Sequence, residues 1–234
     1  MNLKLFETKK LHYGKYLYKV VMYNSLAPIF RMEFQKENFS YARSKLDECN
    51  IAYMEAFKKD PMVTHFILPW QRYYQETVRI DQYFDAINLF RLLKTETDYK
   101  IRVEQATLIV YTNDRNFVKS LINNLKTVVE FWEPDPENIE TLVNNKNIIL
   151  VAKEPKYKYK LTFGKLKGVP ALAKWIESNP SLAKAGDSTI QSLYNQGYVK
   201  GLYFYVRDNK ALTLAQLMVG NNIQRIDELL YNAT

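Results

Sequence analysis

Lysines alternate with aromatic residues in one basic segment, residues 153–167, whose sequence is KEPKYKYKLTFGKLK. Six lysines stand there against one acidic residue, Glu154. Ammonium groups contact phosphates and aromatic rings stack on unpaired bases, which is how sheet surfaces hold single strands. The segment therefore predicts a non-catalytic nucleic-acid-binding surface, and Arg207 adds a further cation. The predicted contact residues are Lys153, Lys156, Tyr157, Lys158, Lys160, Lys165, Lys167 and Arg207.

Strand alternation limits how much of this segment one surface can use. In an extended chain Tyr157 and Tyr159 fall on one face, whereas Lys158 and Lys160 fall on the other. The alternative interpretation is an amphipathic strand whose lysines are solvated or discourage pairing at a sheet edge.

A second aromatic segment, residues 200–207 (KGLYFYVR), partly resembles the signature strand of RNA-recognition domains. Lys200, Gly201 and Phe204 match that pattern. The departures are Leu202, Tyr203, Tyr205 and Arg207. We interpret this segment as a buried aromatic strand, because large apolar rings are typical of a core.

Acidic residues near prolines outline a metal-dependent nuclease, which is a further alternative. Asp135 follows Pro134, and Glu154-Pro155-Lys156 follows the apolar run 148–152. Carboxylates could hold Mg²⁺ and a lysine could act near the scissile phosphate. Pro155 argues against this, since it interrupts a strand where such a site needs one.

The remaining chemistry-bearing residues support no other site. His12 and His65 are the only histidines, and Cys49 is the only cysteine. This excludes an intramolecular disulfide and makes zinc improbable. No phosphate-binding glycine loop is present. We predict no metal and no cofactor; whether the chain is an enzyme is left open, and a non-catalytic role is favoured.

Composition raises the odds of a polyanionic partner. The chain has 234 residues and a net charge of +8, which favours association with phosphates. Its 18 tyrosines suit protein interfaces, so a structural or assembly protein of virion type is the main alternative. The abundance of Lys, Asn, Ile and Tyr suggests an AT-rich genome such as that of a phage or mobile element. No segment reads as a signal peptide or a membrane span, which predicts a cytoplasmic protein, in the host cytoplasm or virion if viral.

Two pairs of segments repeat along the chain. KYLYKV at 15–20 reappears as KYKYKL at 156–161, and LIVYTND at 108–114 matches LYFYVRD at 202–208. The second pair ends in Asp114 and Asp208, each placed to cap a following helix. Repeats of this kind are consistent with two similar lobes.

The elements predict an α+β protein with antiparallel or mixed sheets packed with helices. The predicted domains are an N-terminal α+β lobe, 1–133, with an insertion around 62–99, and a C-terminal α+β lobe, 147–234. Prolines 134 and 136 mark the boundary. The last segment, 222–231, is open between strand and helix, and its apolar spacing favours a helix.

Overall fold

The computed structural model describes residues 3–31, 39–68, 70, 77–165 and 167–231. By its contacts the chain divides into two compact units, residues 1–8 with 15–139 (unit 1) and residues 9–14 with 140–234 (unit 2). Each unit contains one five-stranded sheet packed with helices, so the predicted α+β class is confirmed. Within the described ranges, no helix has both the length and the apolar character that crossing a bilayer requires.

Unit 1 contains a mixed sheet, and helices pack on the face of this sheet that forms the core. Its elements are β1 (Lys4–Glu7), β2 (Tyr18–Tyr23), α1 (Ser40–Lys59), β3 (His65–Ile67), β4 (Thr77–Arg79), α2 (Ile80–Thr95), β5 (Tyr99–Glu104), β6 (Thr107–Thr112), α3 (Arg115–Asn124) and β7 (Val128–Glu133). Short 3-10 helices cover Ala27–Phe30 and Pro136–Asn138. The sheet order is β1-β7-β2-β6-β5, and β3 pairs with β4 in a separate hairpin. Buried Val20 and Val110 belong to the core, as do Val118 and Leu121 of α3, because the apolar residues of β2 and β6 meet the apolar stripe of the helix.

Unit 2 repeats this plan with different helices. Its elements are α4 (Ile139–Asn144, beginning at the last residue of unit 1), β8 (Ile148–Val151), β9 (Tyr159–Phe163), α5 (Pro170–Ser178), β10 (Ala183–Ala185), α6 (Asp187–Tyr194), β11 (Tyr203–Val206), α7 (Asn209–Val219) and β12 (Ile223–Tyr231). A 3-10 turn at Gly220–Asn222 joins α7 to β12. The sheet order is β8-β12-β9-β11-β10.

The two sheets have the same topology. Each unit's first and last strands pair in parallel, β1 with β7 and β8 with β12, and every other pairing is antiparallel. The last strand is bulged at the same place in both, opposite Val21–Met22 in unit 1 and opposite Thr162–Phe163 in unit 2. Between β2 and the edge strand β5, unit 1 carries α1, the paired strands β3 and β4, and α2. Between β9 and the edge strand β10, unit 2 carries the helix α5.

The repeated sequence segments align in the register that this topology requires. Lys19 pairs with Tyr111 of the neighbouring strand in unit 1, and Lys160 pairs with Tyr205 in unit 2. Asp114 and Asp208 cap α3 and α7, each accepting backbone N–H groups of the first turn. The prediction of similar lobes is consistent with this correspondence.

The prediction of a helix at the C-terminus is wrong. Residues 223–231 form β12, which lies between β9 and β8. The spacing of Ile223, Ile226 and Leu229 fits a helical period, but backbone pairing with two neighbouring strands determines the structure here. Local periodicity is a weak signal when a segment can complete a sheet.

Candidate nucleic-acid interface

The unit 2 sheet has one face that packs against helices. Tyr159, Leu161 and Phe163 of β9 are buried with Phe204 and Val206 of β11. Buried residues of α5, α6 and α7 complete the same apolar cluster. Because side chains alternate along a strand, the intervening residues point to the opposite face. We call this opposite face the open face.

The open face carries two lateral rows of paired residues. One row runs Lys184, Tyr205, Lys160, Asp227 from β10 across to β12. The neighbouring row runs Tyr203, Thr162, Arg225. The open face therefore combines two tyrosines with three cations.

Aromatic and cationic groups are in direct contact on this face. The Tyr203 and Tyr205 ring centroids are 5.6 Å apart, with an interplanar angle of 79°. Lys160 Nζ lies 3.8 Å from the Tyr203 ring centroid, a cation–π contact. Tyr203 remains 41% exposed, so its ring is accessible to a ligand.

A buried carboxylate organises the β12 side of the open face. Asp227 is fully buried, and both of its oxygens accept hydrogen bonds from Lys10 Nζ at 2.8 Å. Arg225 Nε donates to Asp227 Oδ2 at 2.9 Å. Burying a charge is costly unless it is paired, and here two cations compensate one carboxylate. The pair fixes the side chains of Lys10 and Arg225.

Desolvation affects the amines at this site. Partial burial lowers the pKa of Lys160, opposed by the nearby charge of Asp227. Burial likewise lowers the pKa of Lys10, opposed by its hydrogen bond to Asp227. The pKa of the Tyr205 hydroxyl is raised, chiefly by desolvation. These pKa directions agree with a Lys160 ammonium group that is partly desolvated against the tyrosine rings.

The structure divides the residues that the sequence predicted as contacts. Of the segment 153–167, Lys160 lies within the open face. Lys158 contacts Glu228 Oε1 at 3.1 Å, which raises the pKa of Lys158. Arg207 Nε lies 3.0 Å from the adjacent Asp208 carboxylate. Two of the predicted cations are therefore engaged by carboxylates.

The other predicted residues lie beyond the ends of β9. Lys153 and Lys156 precede it and are exposed, and Lys156 Nζ is 5.3 Å from the Tyr157 ring centroid. Tyr157 donates its hydroxyl hydrogen to the Pro180 carbonyl. The exposed lysines that follow β9 are Lys165 and Lys167. The eight residues thus do not form one compact cluster.

Sequence reasoning missed the aromatic partners of Lys160. We expected tyrosines from the same segment, but Tyr159 is buried and donates its hydroxyl to Asn209. The rings beside Lys160 come from β11. Alternation within residues 200–207 was the available signal, since it separates Tyr203 and Tyr205 from buried Phe204.

The corresponding face of unit 1 is buried at its centre, whereas Lys100 and Arg102 of β5 on the same face are exposed. Tyr111 is only 5% exposed, and it belongs to a small apolar cluster with Tyr16, Val21 and Ile109. Lys19 Nζ lies 4.5 Å from the Trp132 ring centroid. The exposed Tyr203 of unit 2 thus corresponds to the buried Ile109 of unit 1, and the half-buried Tyr205 corresponds to the buried Tyr111.

The residues of the nuclease alternative have other roles or remain exposed. Asp135 accepts the backbone N–H of Glu137 at the start of a short helix. Glu154 is exposed in the loop that follows β8. Within the part of the chain that the structure describes, no cluster of three or more His, Cys, Asp or Glu side chains is arranged to hold a metal ion.

No protein-family model, curated protein or solved structure matches this chain.

Proposed function

We propose that this protein binds single-stranded nucleic acid without catalysis, through the open face of the unit 2 sheet. The observation that carries the proposal is the contact between Lys160 and the exposed Tyr203 ring, beside Tyr205. Sheets that present aromatic rings and cations together hold single strands by stacking and phosphate contact.

Each group on the open face has a distinct task in this mechanism. Bases stack on Tyr203 and Tyr205, a contact available to unpaired bases because their faces are not covered by neighbours. Lys160, Arg225 and Lys184 contact the phosphates. Because Asp227 already neutralises part of the local positive charge, the net positive charge of this face is moderate. Added salt weakens binding, since the cations contact phosphates.

Salt dependence gives the proposal a quantitative form. Each phosphate contact to a single strand contributes roughly −0.7 to the slope of log affinity against log salt. Contacts from Lys160, Arg225 and Lys184 therefore predict a slope of about −2 for a short oligonucleotide. A duplex of the same length binds more weakly, since its bases are already stacked.

The experiment is a fluorescence-anisotropy titration of labelled oligo-dT, oligo-U and a matched duplex at two salt concentrations. Tyr203→Ala is expected to weaken single-strand binding about tenfold, the range of one base–aromatic stack. Tyr203→Phe retains the ring and is expected to retain binding. Tyr194→Ala is the matched control, because Tyr194 is 42% exposed but belongs to α6 on the other side of the sheet.

Undetectable binding of every oligonucleotide at low salt would reject the proposal. Equal losses for Tyr203→Ala and Tyr194→Ala would also reject the open face as the binding surface.

A further inference from the structure

A cationic groove lies along an unpaired stretch of β12. Pairing with β8 begins only at Glu228, opposite Ile148, so the preceding residues of β12 form an open edge on that side. A groove of about 870 Å³ occupies this position. Its walls are the start of β12, the outer surface of α7, and Lys10, Tyr13, Gly14, Lys146 and Asn147.

The charged side chains that line the groove are all cationic. Its described lining contains Lys10, Lys146 and Arg225, and no carboxylate. Gln216 of α7 lines the same groove and can donate hydrogen bonds to oxygen atoms, whereas the Thr213 hydroxyl, also in the lining, already donates to the Asn209 carbonyl. Asp227, which pairs with Lys10 and Arg225, is fully buried. The lining suits an anion.

The cations are held in place before a ligand binds. Asp227 fixes Lys10 through two hydrogen bonds and fixes Arg225 through Nε. A guanidinium group has further N–H donors beyond Nε, which can bind a phosphate. A pre-ordered cation loses less entropy on binding than a mobile one.

The groove is continuous with the open face through Arg225. Arg225 lies opposite Thr162 and therefore in the same row as Tyr203, and it also lines the groove. From β11 to β12 the distance is two strand spacings, about 10 Å. A strand stacked on Tyr203 and running across the rows toward β12 reaches the groove within a few nucleotides.

We propose that this groove binds the phosphates of the same single strand where it leaves the open face. The inference rests on the proposed function and extends it, because it assigns a direction to the bound strand and a second set of phosphate contacts. Nucleic acid is favoured over an acidic peptide because Arg225 joins the groove to the aromatic rows.

The test compares oligo-dT lengths from about 4 to 16 nucleotides, the range of known small single-strand sites. Lys146→Gln is expected to weaken binding of the longest oligonucleotide about fivefold, in keeping with one exposed charge contact. It is also expected to reduce the magnitude of the slope of log affinity against log salt by about 0.7. The shortest oligonucleotide is expected to bind the variant and the wild type equally.

A charge-insertion pair gives an independent readout. Leu217→Glu places a carboxylate on the α7 wall of the groove, where Leu217 is 78% exposed. Leu214→Glu is the control on the same helix, since Leu214 is exposed but does not line the groove. Only Leu217→Glu is expected to weaken binding of the long oligonucleotide.

The outcomes separate the two proposals. If Tyr203→Ala weakens all lengths while Lys146→Gln and Leu217→Glu change none, the groove proposal is overturned and the open-face proposal stands. If Tyr203→Ala has no effect, both proposals fail. If a poly-glutamate peptide binds the wild type and Leu217→Glu abolishes that binding, while oligonucleotide binding is unchanged, the groove is a peptide site and our assignment is wrong.

Discussion

Lys19 and Lys160 occupy the same position in two sheets of the same topology. Each pairs with a tyrosine of the neighbouring strand, Tyr111 for Lys19 and Tyr205 for Lys160. Lys19 lies over Trp132 on a face whose tyrosine is buried, whereas Lys160 lies over the exposed Tyr203. One sheet plan therefore supports a buried aromatic centre in unit 1 and an exposed tyrosine ring in unit 2.

This relationship supplies an internal control for the binding proposal. Lys160→Gln is expected to weaken oligonucleotide binding about fivefold to tenfold, through one lost phosphate contact and a less ordered Tyr203 ring. Lys19→Gln removes the same charge at the equivalent position and is expected to leave the affinity unchanged. Anisotropy titrations of both variants check this, and equal losses would mean that net charge, rather than the open face, governs binding.

The buried Asp227 carboxylate should be important for the stability of unit 2. Asp227→Asn is expected to lower the free energy of unfolding by about 2 to 3 kcal/mol, because it leaves Lys10 and Arg225 without their counter-charge. Partial solvation of those two cations keeps the loss at the low end of the range for buried pairs. Urea denaturation of Asp227→Asn, Lys10→Met and the double variant measures the coupling, which is expected to be about 1 to 2 kcal/mol. Additive effects would show that the contact contributes nothing specific.

The Asp208 cap of α7 predicts a pH dependence of stability. The Ala211 backbone N–H and the Arg207 guanidinium lower the pKa of Asp208 below its ordinary value of 3.8. The ionised carboxylate therefore stabilises the folded state above pH 3.8, and this contribution disappears as the pH falls through the lowered pKa. Asp208→Asn retains a capping oxygen but has no charge.

The measurement for Asp208 is the stability difference between wild type and Asp208→Asn as a function of pH. We expect the wild type to be the more stable at neutral pH, and the difference to shrink toward zero in acid. A difference that stays constant from neutral to acidic pH would contradict the charge-based account of this cap.

The sequence carried enough information to indicate an α+β protein with two similar lobes. Strand signals and capping aspartates are local, and the pairs 15–20 with 156–161 and 108–114 with 202–208 align in the register of the structure. The C-terminal strand was not predictable in the same way. Its partners β8 and β9 lie far away along the chain, and its own residues satisfy a helical spacing.

The candidate site shows the same limit. Alternation correctly separated Lys160 from Tyr157 and Tyr159, but it could not identify the strand that would lie beside Lys160. That choice depends on the pairing of β9 with β11, a long-range contact without a local signal. The carboxylates that engage Lys158 and Arg207 come from Glu228 of β12 and from the Asp208 cap. The contact with Glu228 likewise depends on tertiary structure.

Binding at the open face is tested by mapping amide chemical shifts of the isotope-labelled protein during titration with oligo-dT. Binding at this face predicts that perturbations concentrate on β9, β11 and β12, with the largest at Lys160, Tyr203 and Tyr205, and that Tyr203→Ala needs about tenfold more oligo-dT to reach the same perturbation. Perturbations confined to the outer surfaces of α5 and α6, or the absence of any perturbation at saturating oligonucleotide, would contradict it.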